Sequence, residues 1–95
     1  MATQILSSTS GTAILSRLIR PDDDNLPPAA AKAWLAIRFD RTDLDRMHQL
    51  ATKNQDDKLT AKEKTELDNY RRISFLVDLM HSKARRSLKK HKAIH

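Results

Sequence analysis

The sequence predicts an all-α protein in which short N-terminal helices pack on a helical hairpin with one long C-terminal helix. Three observations predict this fold class. The one Gly and three Pro residues all precede residue 29, so nothing later interrupts a helix. Thr60 and Glu63 have the spacing of a capping box. After this box, apolar residues recur at steps of three and four, which places them on one helix face: Leu67, Tyr70, Ile73, Leu76, Val77, Met80, Ala84 and Leu88.

The chain before residue 26 contains one weak helical signal between two polar segments. Residues 1–11, rich in Ser and Thr, are predicted to be a flexible leader, and residues 12–95 a single small helical domain. The aliphatic residues of segment 12–20 suit one or two helical turns, with a short strand as the alternative. The acidic segment 21–25 follows and is predicted to be a solvated turn.

The Ala-rich segment that follows predicts a helix over residues 28–37. Pro27 and Pro28 precede it, and Pro is well tolerated in the first turn of a helix. Trp34 is the only Trp of the chain. We interpret it as the main piece of the core, and an exposed anchor for a partner is the alternative.

The next helix is predicted over residues 41–54, with Asp40 as its N-cap. Its inward residues are predicted from their spacing: Leu44, Met47, His48, Leu50 and Ala51. The loop that follows lies between two helices, as a calcium-binding EF-hand loop does. Leu59 occupies the position that requires Gly, so we reject calcium and predict a short acidic turn. The last helix then runs from Thr60 to Lys90, a rod of roughly 45 Å.

The composition excludes several classes of protein. The chain has no Cys, hence no disulfide and no thiolate metal site. It has no run of 18 apolar residues to cross a membrane. The N-terminus lacks the features of a signal peptide, so we expect a cytoplasmic protein. Only 4% of the residues are aromatic, which implies a thin core that binding to a partner or self-association would help to stabilise.

We expect no enzymatic activity and no cofactor. Ser74, Ser82 and Ser87 are nucleophile candidates on the long helix, but no Gly accompanies them to form an oxyanion hole. His91 and His95 have the four-residue spacing of two metal ligands on a helix. The residues around them are cationic and would repel a divalent ion, so we predict no metal site there.

Three residues of the long helix are predicted to bind a partner protein: Tyr70, Phe75 and Leu79. At 100° per residue, Phe75 and Leu79 project from a different side than the main apolar face. Either the N-terminal helices cover both sides of the rod, or these two residues are left for a partner. A homodimer through this helix is a weaker alternative, because polar residues interrupt its heptad positions.

The positive charge of the chain lies at its C-terminal end. Residues 1–78 carry all 12 acidic residues and 12 of the 18 basic ones, so the whole net charge of +6 follows Asp78. This basic tip is predicted to contact an anionic partner: Lys83, Arg85, Arg86, Lys89, Lys90 and Lys92. Because no base-reading or stacking side chain accompanies it, binding to nucleic acid would ignore sequence. The sequence favours an acidic protein surface, with nucleic acid as the alternative.

Six blocks between residues 13 and 90 carry a family resemblance: Ala13–Arg17, Leu26–Ala30, Asp45–Leu50, Leu59–Thr60 with Glu63, Glu66–Tyr70 and, most specific, Ser82–Lys89. They resemble a family of small bacterial helical proteins that are often encoded beside nucleases, including HNH-type nucleases. The resemblance implies an antitoxin-like or accessory role toward such a nuclease. The chain departs from this family where Gly is usual, at Asp57-Lys58 and at Ile73-Ser74, and these changes should stiffen the hairpin.

Overall fold

Four helices make up the part of the chain that the structure describes. This computed structural model describes the backbone of residues 10–94 and the side chains of residues 10–92. The helices are α1 (Gly11–Ile19), α2 (Pro28–Leu35), α3 (Arg41–Gln55) and α4 (Ala61–Ile94), and no strand occurs among the described residues. The all-α prediction is therefore confirmed, and the strand alternative for segment 12–20 is wrong.

Helix α1 begins one residue earlier than predicted. The Ser10 hydroxyl accepts a hydrogen bond of 3.0 Å from the Ala13 amide, so Ser10 is the N-cap. Gly11 therefore belongs to the helix and not to the predicted leader, and residues 1–9 of that leader lie outside the described residues. Arg20 ends the helix in the left-handed conformation, with φ of 53°.

The other three helices begin where their caps predict. Pro28 is the first residue of α2, and the Asp40 carboxylate accepts from the Asp43 amide at 3.0 Å. Thr60 and Glu63 form the predicted capping box, with two reciprocal bonds of 3.1 Å. Helix ends were less predictable: α2 stops two residues short of residue 37, α3 extends by one residue to Gln55, and α4 runs four residues past Lys90.

The long helix α4 is the element on which the others pack. Among the described residues, α1, α2 and α3 each contact α4 and none of them packs on another. Helices α2 and α3 run antiparallel to α4, because Leu26 bonds to Ser87 near one end and Arg46 to Glu66 near the other. The molecule measures 53 × 31 × 16 Å, and its shortest dimension is less than two helix diameters.

This arrangement leaves a thin core. Its buried apolar residues, among those the structure describes, are Ala31, Leu50, Leu67, Leu76 and Ala84. Trp34 is only half-buried, so the prediction that it is the main piece of the core is wrong. The prediction of an inward face on α3 is also largely wrong, since Leu44, His48 and Ala51 are exposed. Both errors have one cause: α2 and α3 have a neighbour on one side only. No helix of the described chain is long and apolar enough to cross a membrane.

Candidate binding grooves

Polar contacts hold α3 against α4. Arg46 donates two hydrogen bonds of 2.8 Å to the Glu66 carboxylate, and the Lys53 ammonium lies 2.6 Å from Glu63. The hydrogen bond from Lys53, together with the Thr60 amide, lowers the pKa of Glu63 to about 2. The hydrogen bond from Arg46 likewise lowers the pKa of Glu66. These contacts join the two helices.

Tyr70 belongs to the same contact. Its hydroxyl donates a hydrogen bond of 2.7 Å to Asp43, and this bond raises the pKa of Tyr70. Its ring meets the Phe39 ring edge-on, with 6.0 Å between the ring centres. Tyr70 was predicted to bind a partner, but the structure shows that its hydroxyl and its ring both make contacts within the chain.

A groove of about 480 Å³ opens between α3 and α4, which we call the α3–α4 groove. Its apolar lining residues come from both helices: Met47, Ala51, Leu67, Tyr70 and Phe75. His48, Arg71 and Asp78 line it as well. Phe75 is 46% exposed, whereas Leu67 forms part of the buried core. The Ser74 hydroxyl also lines this groove, is buried, and has no hydrogen-bond partner among the described residues.

The three residues predicted to bind a partner differ in whether they line the α3–α4 groove. Phe75 lines it with an exposed ring, Tyr70 lines it with a ring whose hydroxyl is engaged, and Leu79 is half-buried and does not line it. Met47 and Ala51 line it as well, although their spacing predicted burial in the core. No sequence signal separates these two roles, because helical period alone does not say what covers a face.

A second groove, of about 890 Å³, lies between α2 and the C-terminal part of α4. We call it the basic groove, because it contains five cationic side chains and no carboxylate. These are Lys32 of α2 and Arg85, Arg86, Lys89 and Lys92 of α4. All five are exposed, and none forms an ion pair with a described residue. Pro28, Ser82, Leu88 and His91 complete the lining.

Lys83 does not belong with these cations, although the sequence placed it in the basic tip. It is 5% exposed, and its ammonium lies 2.8 Å from both the Asp23 carboxylate and the Ile19 carbonyl oxygen. The same ammonium lies 5.7 Å from the centre of the Trp34 ring. The hydrogen bond from Lys83 lowers the pKa of Asp23. Lys83 is therefore a structural residue, and its prediction as an external contact is corrected.

Two of the six cations predicted in the basic tip form ion pairs with the acidic turn. It was predicted to be solvated, but Asp23 pairs with Lys83 and Asp24 lies 3.2 Å from the Lys90 ammonium. Lys90 does not line the basic groove. Lys32 does line it and was missed, although it is the only cation in the Ala-rich helix α2.

The described residues hold no cluster of side chains that could bind a metal ion. His91 lines the basic groove, and His95 of the candidate pair lies outside the described residues. The fold and the two grooves described here define an elongated all-α protein in which the α3–α4 groove and the basic groove both lie along the long helix α4. No protein-family model, curated protein or solved structure matches the chain.

Proposed function

We propose that this chain is a non-enzymatic helical binding module whose α3–α4 groove takes an apolar segment of a partner protein. The observation that carries the proposal is the position of Phe75. Its ring is 46% exposed and lines a groove together with the apolar residues Met47, Ala51 and Leu67. Aromatic side chains in such positions supply much of the binding energy of protein interfaces, and a groove between two helices suits an amphipathic helix.

The contacts beside the α3–α4 groove support this function. Arg46 with Glu66, Lys53 with Glu63 and Tyr70 with Asp43 join α3 to α4. A groove whose walls are already fixed loses little conformational entropy on binding, which favours affinity. An occupant could also supply a polar atom to the buried Ser74 hydroxyl, which lacks a partner among the described residues.

The family resemblance suggests the kind of partner. It implies a nuclease, of HNH type in some relatives, that this chain inhibits as an antitoxin or assists as an accessory subunit. Such a pair would act in the cytoplasm.

The test compares two exposed apolar residues of α4 that lie on different sides of the helix. Phe75 is 46% exposed and Ile73 45% exposed, but only Phe75 lines the α3–α4 groove. A photo-crosslinking phenylalanine analogue at position 75 should capture the partner, and the same analogue at position 73 should not. With the captured protein purified, Phe75→Ala should weaken binding about 30-fold, since an anchor residue commonly contributes about 2 kcal/mol. Ile73→Ala should change affinity less than about threefold.

Thermal unfolding supplies the control for this test. Because Phe75 is exposed, its replacement by Ala should change the free energy of unfolding by no more than about 0.5 kcal/mol. If Phe75→Ala lowers Tm by several degrees and leaves partner affinity unchanged, Phe75 serves the fold and the proposed docking groove is wrong.

A further inference from the structure

The five cations of the basic groove have no role in the function proposed for the α3–α4 groove. Its five cations come from two helices and face a common cleft, and the two grooves share no lining residue. Two other cations of the tip, Lys83 and Lys90, are already paired with Asp23 and Asp24. The aspartates of the turn thus neutralise the cations outside the groove, while those inside it have no carboxylate partner among the described residues.

The spacing of the α4 cations suits a chain of anionic groups. Arg85, Lys89 and Lys92 follow at steps of four and three residues, so their helix positions are on the order of 6 Å and 4.5 Å apart along the axis. Lys32 adds a cation from α2 on the facing wall. A single carboxylate or phosphate would engage only part of this set. A polyanion would engage all of it.

The lining also indicates which polyanion fits. The apolar residues of this groove are Pro28 and Leu88, and its remaining apolar surface belongs to the Lys, Arg, Ser and His residues that line it. It contains no Phe, Tyr or Trp that could serve as the aromatic anchor of a protein interface. The exposed Phe75 lies in the other groove. Phosphate contacts, in contrast, require cations and little else, and they carry no sequence information.

We infer that the basic groove binds the phosphate backbone of a nucleic acid without reading its sequence. Arg85, Arg86, Lys89 and Lys92 supply four contacts and Lys32 a fifth. This proposal prefers nucleic acid to the acidic protein surface that the sequence favoured. The site works independently of the α3–α4 groove, so nucleic acid and partner protein can be bound separately.

The salt dependence of binding tests the inference quantitatively. The probes are two 20-base-pair DNA duplexes of the same composition and different sequence, titrated with the full chain. The slope of log K against log salt concentration should be about −3.6 for four contacts and about −4.5 for five. Between 50 and 200 mM salt, affinity should therefore fall about 150- to 500-fold. The two duplexes should bind equally within about twofold.

Two matched variants distinguish the effect of the groove cations on DNA binding from the effect of overall net charge. The groove variant carries Arg85→Gln, Arg86→Gln, Lys89→Gln and Lys92→Gln. The control variant carries Arg41→Gln, Lys58→Gln, Lys62→Gln and Lys64→Gln, four exposed positions outside the groove. Each variant lowers the net charge from +6 to +2, and Gln preserves helix propensity. The groove variant should lose at least about 100-fold in affinity for duplex DNA, and the control variant less than about fivefold.

Several results would overturn the inference. Equal losses in the two variants would show that overall charge, not the groove, attracts DNA. A slope shallower than about −2 would show that too few phosphates are contacted. A competition experiment compares poly-glutamate with unlabelled DNA, each measured by its concentration of negative charge. If poly-glutamate displaces the duplex at the lower concentration, the occupant is an acidic protein. Phe75→Ala should leave DNA affinity unchanged, so failure of the proposed partner groove and failure of this site are distinguishable.

Discussion

Lys83 joins three segments that are far apart in the sequence. Its ammonium contacts the Ile19 carbonyl at the end of α1, the Asp23 carboxylate of the turn and the Trp34 ring of α2. Its methylene groups lie in the interior, since the side chain is 6% exposed. A buried ammonium is stable only when it has polar partners, and here the Ile19 carbonyl accepts a hydrogen bond from it while the Asp23 carboxylate forms an ion pair with it.

Replacing Lys83 by Met should therefore destabilise the fold. The substitution keeps the aliphatic stem but leaves the Ile19 carbonyl without its donor, and an unsatisfied group of this kind costs about 1–3 kcal/mol. We expect Tm to fall by several degrees in a thermal scan. Lys90→Met is the matched control, because the exposed pair of Lys90 with Asp24 should contribute less than about 1 kcal/mol. Equal Tm values for the two variants would contradict the structural role of Lys83.

Residue roles were predictable from the sequence when their partners are close along the chain. Asp40, Thr60 and Glu63 bond to backbone groups three residues away, so local spacing sufficed. Lys83 bonds to residues more than 50 positions away. Helical spacing places Lys83 beside Leu79 and Met80, whereas Lys89 lies beside Arg85 and Arg86 and is exposed. This spacing favours burial of Lys83 but does not identify the distant partners Ile19 and Asp23.

The contact between α3 and α4 depends strongly on charge. Its buried apolar residues are Leu50 and Leu67, and the polar contacts described above surround them. Glu63 has two tasks, because it caps α4 through the Thr60 amide and binds Lys53 of α3. Its side chain is 13% exposed. The hairpin therefore has a titratable group at its base.

Acid should weaken this hairpin over a defined pH range. The pKa of Glu63 is about 2 in the folded chain and 4.5 in its ordinary state. A carboxyl group with a lowered pKa stabilises the fold fully above its ordinary pKa, and this contribution is lost as the pH falls toward 2. Asp23 and Glu66 have lowered pKa values and act in the same direction. Chemical denaturation at pH 7, 4 and 2.5 should show a falling free energy of unfolding.

Glu63→Gln isolates this contribution. The amide cannot titrate, so the variant should be less stable than the wild-type chain at pH 7 and should lose less stability between pH 4.5 and pH 2. Thr60→Ala is the companion variant, and loss of this cap should cost about 1 kcal/mol at every pH. A Glu63→Gln curve parallel to that of the wild-type chain would contradict the assignment.

At the scale of elements, the sequence determined that helices form but not what covers them. Apolar periodicity predicted an inward face for α3, yet only Leu50 of that face is fully buried. Met47 and Ala51 instead line an open groove. The basic groove could not be predicted either, because it requires knowing that Lys32 of α2 faces the end of α4.

The two grooves open toward the same side of the molecule. At 100° per residue, Leu67 and Ser74 of the α3–α4 groove lie within about 20° of Arg85 and Lys92 of the basic groove around α4. The molecule is also only 16 Å across in its shortest dimension. A protein in one groove and a nucleic acid in the other would therefore lie side by side on one face of the rod.

Hydrogen exchange should show how unevenly this flat arrangement distributes stability. Helix α1 has no fully buried residue, and Ile14, Leu15 and Leu18 are exposed. Helix α4, in contrast, buries Leu76, Lys83, Ala84 and Ser87, and both α1 and α2 contact this helix. Local opening follows the number of buried contacts, so amides of α1 should exchange fastest among the four helices and those of residues 76–87 slowest.

The measurement is mass spectrometry of exchanged peptides at two protein concentrations. Protection of α1 that rises with concentration would indicate a homodimer through its apolar side. Protection equal to that of the α4 centre at low concentration would contradict the prediction.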